Sequence, residues 1–276
     1  MKKYIIKKVL SNNVILVTCE DKEYILVGKG VGFGKKKDTI LQNIENVENT
    51  FISLEGLDKE EYESLLSKVD KKIAAITEEI IAMISTSLQG YLNPNIHIGL
   101  IDHISFAIKR LQENIEIVNP FLLETKILYP KEYELAEKAV EMLRQKLDIK
   151  IPDAEIGFIA LHIRGARSGY DKTTALKKTK LVNTVVKYVE ETLNIHLKKE
   201  GFDYIRFITH LRGVIGRIEN QKLLNNPMLD RIKEEFSSQY SISCNISNII
   251  EKELNLKAPE DEIGYMALHI YKLKQS

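Results

Sequence analysis

The apolar positions of this chain change period once. Residues 4–10, 14–19 and 24–27 are short runs rich in β-branched and apolar residues, punctuated by Ser11-Asn12-Asn13 and Asp21-Lys22 as polar turns. Such runs predict strands, and a fourth is predicted over 50–54. Between the third and fourth lies Gly28-Lys29-Gly30-Val31-Gly32-Phe33-Gly34-Lys35-Lys36-Lys37, where four glycines alternate with lysine, valine and phenylalanine. So small a sheet has little core of its own and is expected to need a partner copy. From Lys59 onward the period becomes helical. Ile73, Ile76, Ile80, Ile81 and Ile84 recur at steps of three and four, an amphipathic helix, and the pattern continues almost to the last residue. Residues 168–178, where glycine, threonine and lysine interrupt it, are predicted to be a linker.

The helical part repeats itself. With an offset of 107 and no gap, His103 falls on His210, Arg110 on Arg217, Asn119-Pro120 on Asn226-Pro227 and Tyr133 on Tyr240. Pro152 falls on Pro259, Glu155-Ile156-Gly157 on Glu262-Ile263-Gly264, and Ala160-Leu161-His162-Ile163 on Ala267-Leu268-His269-Ile270. From 103 to 163 there are 18 identities in 61 positions, where unrelated segments give roughly one in sixteen on ordinary residue usage. The period is too long for a solenoid unit, so each copy is expected to be a compact bundle. The predicted fold class is multidomain: a small all-β N-terminal domain followed by two homologous all-α helical-bundle domains, at 1–56, 63–169 and 176–276.

Composition narrows the class. In 276 residues, 44% hydrophobic and 29% charged are ordinary for a soluble globular protein. No apolar run reaches the roughly eighteen residues that span a bilayer, and the N-terminus lacks a secretory core, so a cytoplasmic protein without membrane insertion is expected. Cys19 and Cys244 form no metal spacing and are read as thiols in a reducing compartment. The formal net charge is +1, but residues 1–40 hold nine lysines against four acids. That basic head on a mildly acidic body fits a polyanion, with a merely solvated lysine-rich surface as the alternative.

The chain has six histidines; four lie in the repeat, while His97 and His196 do not. Any single one is most simply a core histidine satisfied by hydrogen bonds. Four kept in register ask for more. Metal binding wants close spacing or cysteine partners, and neither appears. Nucleophile–base catalysis wants a serine or cysteine held against the ring, and no such motif is present. The remaining option is the imidazole as phosphoryl acceptor, because its neutral form is a good nucleophile near neutral pH. Arg110 and Arg217, seven residues after His103 and His210, return to the histidine's helix face and could meet a phosphate; a surface salt bridge is the alternative. His162 and His269 lie on helices expected to start near Pro152 and Pro259. The acids of those first turns, Asp153, Glu155, Glu260 and Glu262, are assigned to the helix dipole rather than to chemistry.

These residues resemble the BglG/SacY family of bacterial transcription antiterminators over the whole chain. Ser11-Asn12-Asn13-Val14 and Gly28-Lys29-Gly30-Val31-Gly32-Phe33 are similar to its co-antiterminator RNA-binding domain. Asp102-His103-Ile104 and Ala160-Leu161-His162-Ile163 are similar to its PTS regulation domains. Gly32-Phe33-Gly34-Lys35-Lys36 and Asn119-Pro120-Phe121-Leu122-Leu123-Glu124-Thr125 look closest to the glucose-type member. The resemblance implies a homodimer that clamps an antiterminator RNA hairpin and activates readthrough of a sugar-uptake transcript. It implies no enzyme activity, no cofactor and no metal. It also implies phosphorylation of His103 and His162 by the sugar-specific enzyme II, and of His210 and His269 by the phosphocarrier HPr. Thr209-His210-Leu211 departs from Asp102-His103-Ile104, which puts the efficiency of the second domain in doubt.

The RNA-side residues make physical sense. Asn12 and Asn13 offer amide groups to base edges or 2′-hydroxyls. Phe33 can stack on an unpaired base, Gly28 and Gly30 allow close backbone approach, and Lys8 and Lys29 suit phosphates. Core packing for Phe33 and ordinary turns for the glycines are the plain alternatives. Three rival functions remain: a DNA-binding activator, which needs a helix-turn-helix before the first repeat, a histidine phosphotransfer relay, and a purely structural dimer module. His97 is expected to be a bystander near the first site.

Overall fold

A computed structural model describes residues 3–41, 50–88, 91–168, 172–222 and 224–275. By packing, the chain forms two compact units: Met1–Pro120 with Lys131–Ala175, and Phe121–Pro130 with Leu176–Ser276.

The first unit opens with an antiparallel sheet of β1 (Tyr4–Ser11), β2 (Val14–Cys19), β3 (Lys22–Val27), β4 (Ile40–Leu41) and β5 (Thr50–Ser53), in the order β4-β1-β2-β3-β5. Among the described residues before Lys59 there are strands and no helix, where the DNA-binding reading needs a helix-turn-helix. The β2–β3 turn is Glu20-Asp21 rather than Asp21-Lys22. Both turn residues have positive φ (50° and 64°), the geometry of a two-residue hairpin turn, and Lys22 pairs with Cys19 in the ladder. One sheet face closes a core of Tyr4, Ile6, Ile15, Val17, Cys19, Leu26 and Leu41.

Leu16 and Ile25, which alternate to the other face, are buried as well. The helix that packs on the sheet is α2 (Lys71–Leu88), which follows α1 (Lys59–Lys68) and also packs on α3 (Asn95–Gln112). That double duty explains its sequence. Besides the isoleucine stripe, Ala74, Ala75, Thr77, Glu78 and Ala82 are buried, as expected of a helix covered on more than one side. Asp58 caps α1 by accepting from the Glu61 N–H at 3.0 Å, and Asp70 accepts from the N–H groups of Lys72 and Ile73 at the start of α2.

The remaining helices are α4 (Leu122–Leu128), α5 (Pro130–Leu147), α6 (Ala154–Ser168), α7 (Lys172–Leu193), α8 (Phe202–Glu219), α9 (Leu229–Glu235), α10 (Ser237–Leu254) and α11 (Glu260–Gln275). The pairs α3/α8, α4/α9 and α5/α10 begin and end at the sequence offset of 107. So do the left-handed residues that close helices: Asn114 and Gln221, Asp148 and Asn255. The Asn-Pro strings earn their repetition structurally. Asn119 Nδ2 donates to the Ala154 carbonyl at 3.2 Å, and Asn226 Nδ2 to the Asp261 carbonyl at 3.3 Å. Gly264, from the repeated Glu-Ile-Gly, lies so close that a Cβ there would sit 2.7 Å from Asn226 Nδ2.

The predicted linker over 168–178 needs correction, because α7 already runs from Lys172. Its buried stripe begins with Ala175 and Thr179, ahead of Val182, Val186 and Val189. A small residue and a hydroxyl carry little hydropathy, so the stripe is faint in the sequence. Residues 169–171 lie outside the described residues.

Candidate RNA interface and paired histidine sites

The glycine loop is built on the β1–β2 turn. Gly28 N–H donates to the Asn13 carbonyl at 2.9 Å, Gly32 N–H to the Asn12 carbonyl at 2.9 Å, and Gly30 N–H to Asn13 Oδ1 at 3.0 Å. Asn13 therefore spends its side-chain oxygen on shaping the loop, while Asn12 is exposed. Gly30 and Gly34 have positive φ (72° and 65°). Gly32, quoted within the motif but given no role of its own there, is tightly placed: a Cβ would lie 2.3 Å from the Ser11 carbonyl oxygen. The loop thrusts Phe33 outward, 72% exposed, so core packing does not account for it. Lys29 is exposed and Lys8 half-buried, and among the described residues neither forms an ion pair. By contrast Lys7 is tied to Glu23 (2.5 Å) and Glu63 (3.4 Å). Asn13, Gly28 and Lys29 face a groove whose other wall is α2, through Glu79, Met83, Thr86 and Ser87.

In the first helical domain α3 carries His103 and α6 carries His162, with ring centroids 4.9 Å apart. Gly99, one turn before His103, leaves the room: a Cβ there would sit 3.4 Å from His162 Nδ1. His103 Nε2 lies 2.8 Å from Glu155 Oε2. Glu155 stands in the first turn of α6, as the dipole assignment requires, and is in addition a buried partner of the histidine. Arg110 turns away, its Nη2 donating to the Glu116 carbonyl at 3.1 Å with the guanidinium over the Phe106 ring at 5.9 Å. Burial first, then the nearby His103 and Lys172, holds His162 well below the usual imidazole range.

In the second domain α8 carries His210 and α11 carries His269, stacked at 3.8 Å. Arg217, at the position of Arg110, grips Glu262 with two hydrogen bonds, Nε to Oε1 and Nη2 to Oε2 (2.8 Å). His210 Nε2 is buried with no hydrogen-bond partner among the described residues. Burial, with His269 and Arg217 nearby, pushes His210 down to about 3. Burial, Arg206 and Lys272 also lower His269. Three of the four imidazoles are thus held neutral, the nucleophilic form.

His97 is a core residue of the first unit. Its Nδ1 lies 2.7 Å from Glu78 Oε2, and the other Glu78 oxygen accepts from the Tyr62 hydroxyl at 2.6 Å, all three fully buried. His196 is exposed. Among the described residues no cluster of histidine, cysteine and acids could hold a metal ion, and no helix is long and apolar enough to cross a membrane.

A small sheet carrying a lysine- and glycine-rich loop, followed by duplicated helical bundles each with a histidine pair, defines a class: a nucleic-acid-binding head joined to paired regulatory domains. Comparison with known proteins gives that class its family. The CAT RNA binding domain matches residues 4–60 and the PRD domain matches 78–166 and 183–273. Protein GlcT of Staphylococcus saprophyticus is 36% identical over 98% of this chain and 97% of its own, and the PtsGHI operon antiterminator of Bacillus subtilis is 35% identical over 98% and 97%. A crystal structure of GlcT CAT-PRDI is 41% identical, covering 60% of this chain and 99% of that one, with a TM-score of 0.51. The chain belongs to the GlcT family of RNA-binding transcription antiterminators regulated through PRD domains.

Proposed function

We propose that this protein stabilises an antiterminator hairpin in the leader of a sugar-uptake transcript, glucose being the sugar, and that reversible phosphorylation of His103, His162, His210 and His269 sets its activity. Lys8, Asn12, Lys29 and Phe33 contact the RNA, while Asn13, Gly28 and Gly30 shape the loop that presents them. The first helical domain takes phosphate from the sugar-specific enzyme II and the second from HPr, in the cytoplasm, with domain limits at 1–56, 63–169 and 176–276. The protein works as a homodimer without a cofactor. Ile5 and Ile40, paired across β1 and β4 and both exposed, offer a second copy an apolar patch. The protein regulates and does not turn over substrate.

The observation that carries this reading is the histidine pair in ring contact, built twice from the same helix positions. Neutral, closely packed imidazoles are poised to receive a phosphoryl group, and each transfer adds close to two negative charges to a confined space. A shift of a few kcal/mol between two dimer states is then enough for a switch. The test is hairpin binding by the full chain before and after treatment with phosphorylated enzyme II or HPr. Affinity for the hairpin that is unaffected by phosphorylation, or indifference to structured RNA altogether, rejects the reading.

A further inference from the structure

The two histidine sites are made of the same four residues, two histidines, an arginine and a glutamate, at the same offset: His103, Arg110, Glu155 and His162 in one, His210, Arg217, Glu262 and His269 in the other. Their hydrogen bonds nevertheless differ. Glu155 pairs with the histidine and Glu262 with the arginine. We propose that Glu155 is a positioning residue that prepares His103 to take a phosphoryl group on Nδ1, and that Arg217 withholds the equivalent carboxylate, Glu262, from His210. This deepens the reading of these histidines as phosphoryl acceptors and rests on it.

One sequence difference lies directly beside the arginine in the two arrangements. One turn before the arginine stands Phe106 in the first copy and Gly213 in the second. The Phe106 ring, 61% exposed, holds the Arg110 guanidinium against its face and away from Glu155. Gly213 has no side chain there, and the Arg217 guanidinium fills the space: a Cβ at Gly213 would lie 3.1 Å from Arg217 Nη1. The arginine folds back through the room that the glycine leaves and closes a bidentate grip on Glu262.

The carboxylate's partner decides the chemistry. An ionised carboxylate only accepts hydrogen bonds, so the ring nitrogen facing it keeps its proton, and the other nitrogen carries the lone pair. With Glu155 on Nε2, the nucleophile of His103 is Nδ1. When a phosphohistidine donor delivers its group, the new bond forms between phosphorus and Nδ1. The donor's own nitrogen–phosphorus bond breaks, and the donor ring leaves with that electron pair as neutral imidazole, its own N–H retained. His103 becomes a cationic ring that still holds its Nε2 proton, and Glu155 stands 2.8 Å away to offset that charge. His210 has no such help: its Nε2 is without a partner among the described residues, and Glu262, the counterpart of Glu155, is held by Arg217. The desolvation that already disfavours a cationic His210 acts in the same direction.

The test uses the full chain and potassium phosphoramidate, a small donor that needs no docking surface, with phosphohistidine followed site by site by mass spectrometry and by 31P and 15N NMR. In the native chain, His103 is modified faster than His210, at Nδ1, and its ring shows the Nε2–H tautomer before reaction. Glu155→Gln, which removes the charge but keeps the shape, slows modification of His103 at least about tenfold, the effect of one pKa unit of lost charge stabilisation, and mixes the tautomers. Phe106→Gly releases Arg110 onto Glu155 and slows His103 likewise. Gly213→Phe pushes Arg217 off Glu262 and speeds His210. Native phosphoryl on Nε2 of His103, or unchanged rates in all three variants, overturns the proposal and leaves the acceptor reading standing. No uptake at any of the four histidines overturns both.

Discussion

Phe33 and Gly32 are neighbours with opposite jobs. Phe33 is exposed and meets nothing that would hold it in a core, so Phe33→Ala leaves thermal stability nearly unchanged. It weakens hairpin binding by about 1–3 kcal/mol, the usual worth of a base stacked on an aromatic ring, read by filter binding. Gly32 contacts no ligand but has the Ser11 carbonyl where its Cβ would be. Gly32→Ala must open the Asn12–Gly32 hydrogen bond and displace the loop. It lowers the melting temperature and hairpin affinity together, and a variant that keeps both at native values refutes the packing argument. The glycine-rich run was legible in the sequence. Which glycine is obligatory was not, because that depends on a strand brought beside it by pairing.

At the scale of elements, α1, α2 and α3 are bolted together by Tyr62, Glu78 and His97, one from each helix. A buried polar group left without its partner is costly, so Glu78→Ala, which strands both the Tyr62 hydroxyl and His97 Nδ1, destabilises the first unit by about 3 kcal/mol. Tyr62→Phe, which strands only one carboxylate oxygen, costs about 1 kcal/mol. Denaturant melts of the two variants check the order. The period of α2 was readable, and so was its isoleucine stripe. Glu78 was invisible as a core residue, since a glutamate in a helix reads as solvent-facing until a tyrosine and a histidine from two other helices enclose it. The repeated Glu155 and Glu262 carried a better signal, their identity at the same offset, and both stand in first turns as expected, but sequence distance hid the histidine and arginine that they meet.

At the scale of the whole molecule, charge and protonation give two expectations. RNA binding weakens as salt rises, and removing Lys8 or Lys29 lowers the slope of log affinity against log salt by about one each, the mark of a lost phosphate contact. Stability depends on pH through the buried imidazoles. His210 is pushed down to about 3 in the folded chain, against about 6.5 when unfolded. Between those values the unfolded state binds the extra proton, so stability is full above about pH 6.5 and falls as pH drops toward 3, by up to about 1.4 kcal/mol per unit for that histidine. Melting at pH 7.5 and 5.0 should show the loss. His210→Leu, which cannot take up the proton, should reduce it and leave the part due to His162 and His269.

The change from strands to helices, the duplication, the basic glycine loop and the register of the four histidines were legible in the pattern, whereas the short β4 and the start of α7 were not. Period, turn chemistry and self-similarity are properties of neighbouring residues, and they survive without a fold. Partner choice was decided only in three dimensions. Whether a carboxylate meets a histidine or an arginine, and which glycine lies under a carbonyl, depends on residues 19 to 52 positions apart in sequence that share one small volume after packing. There, a ring or an empty space one turn away tips the balance.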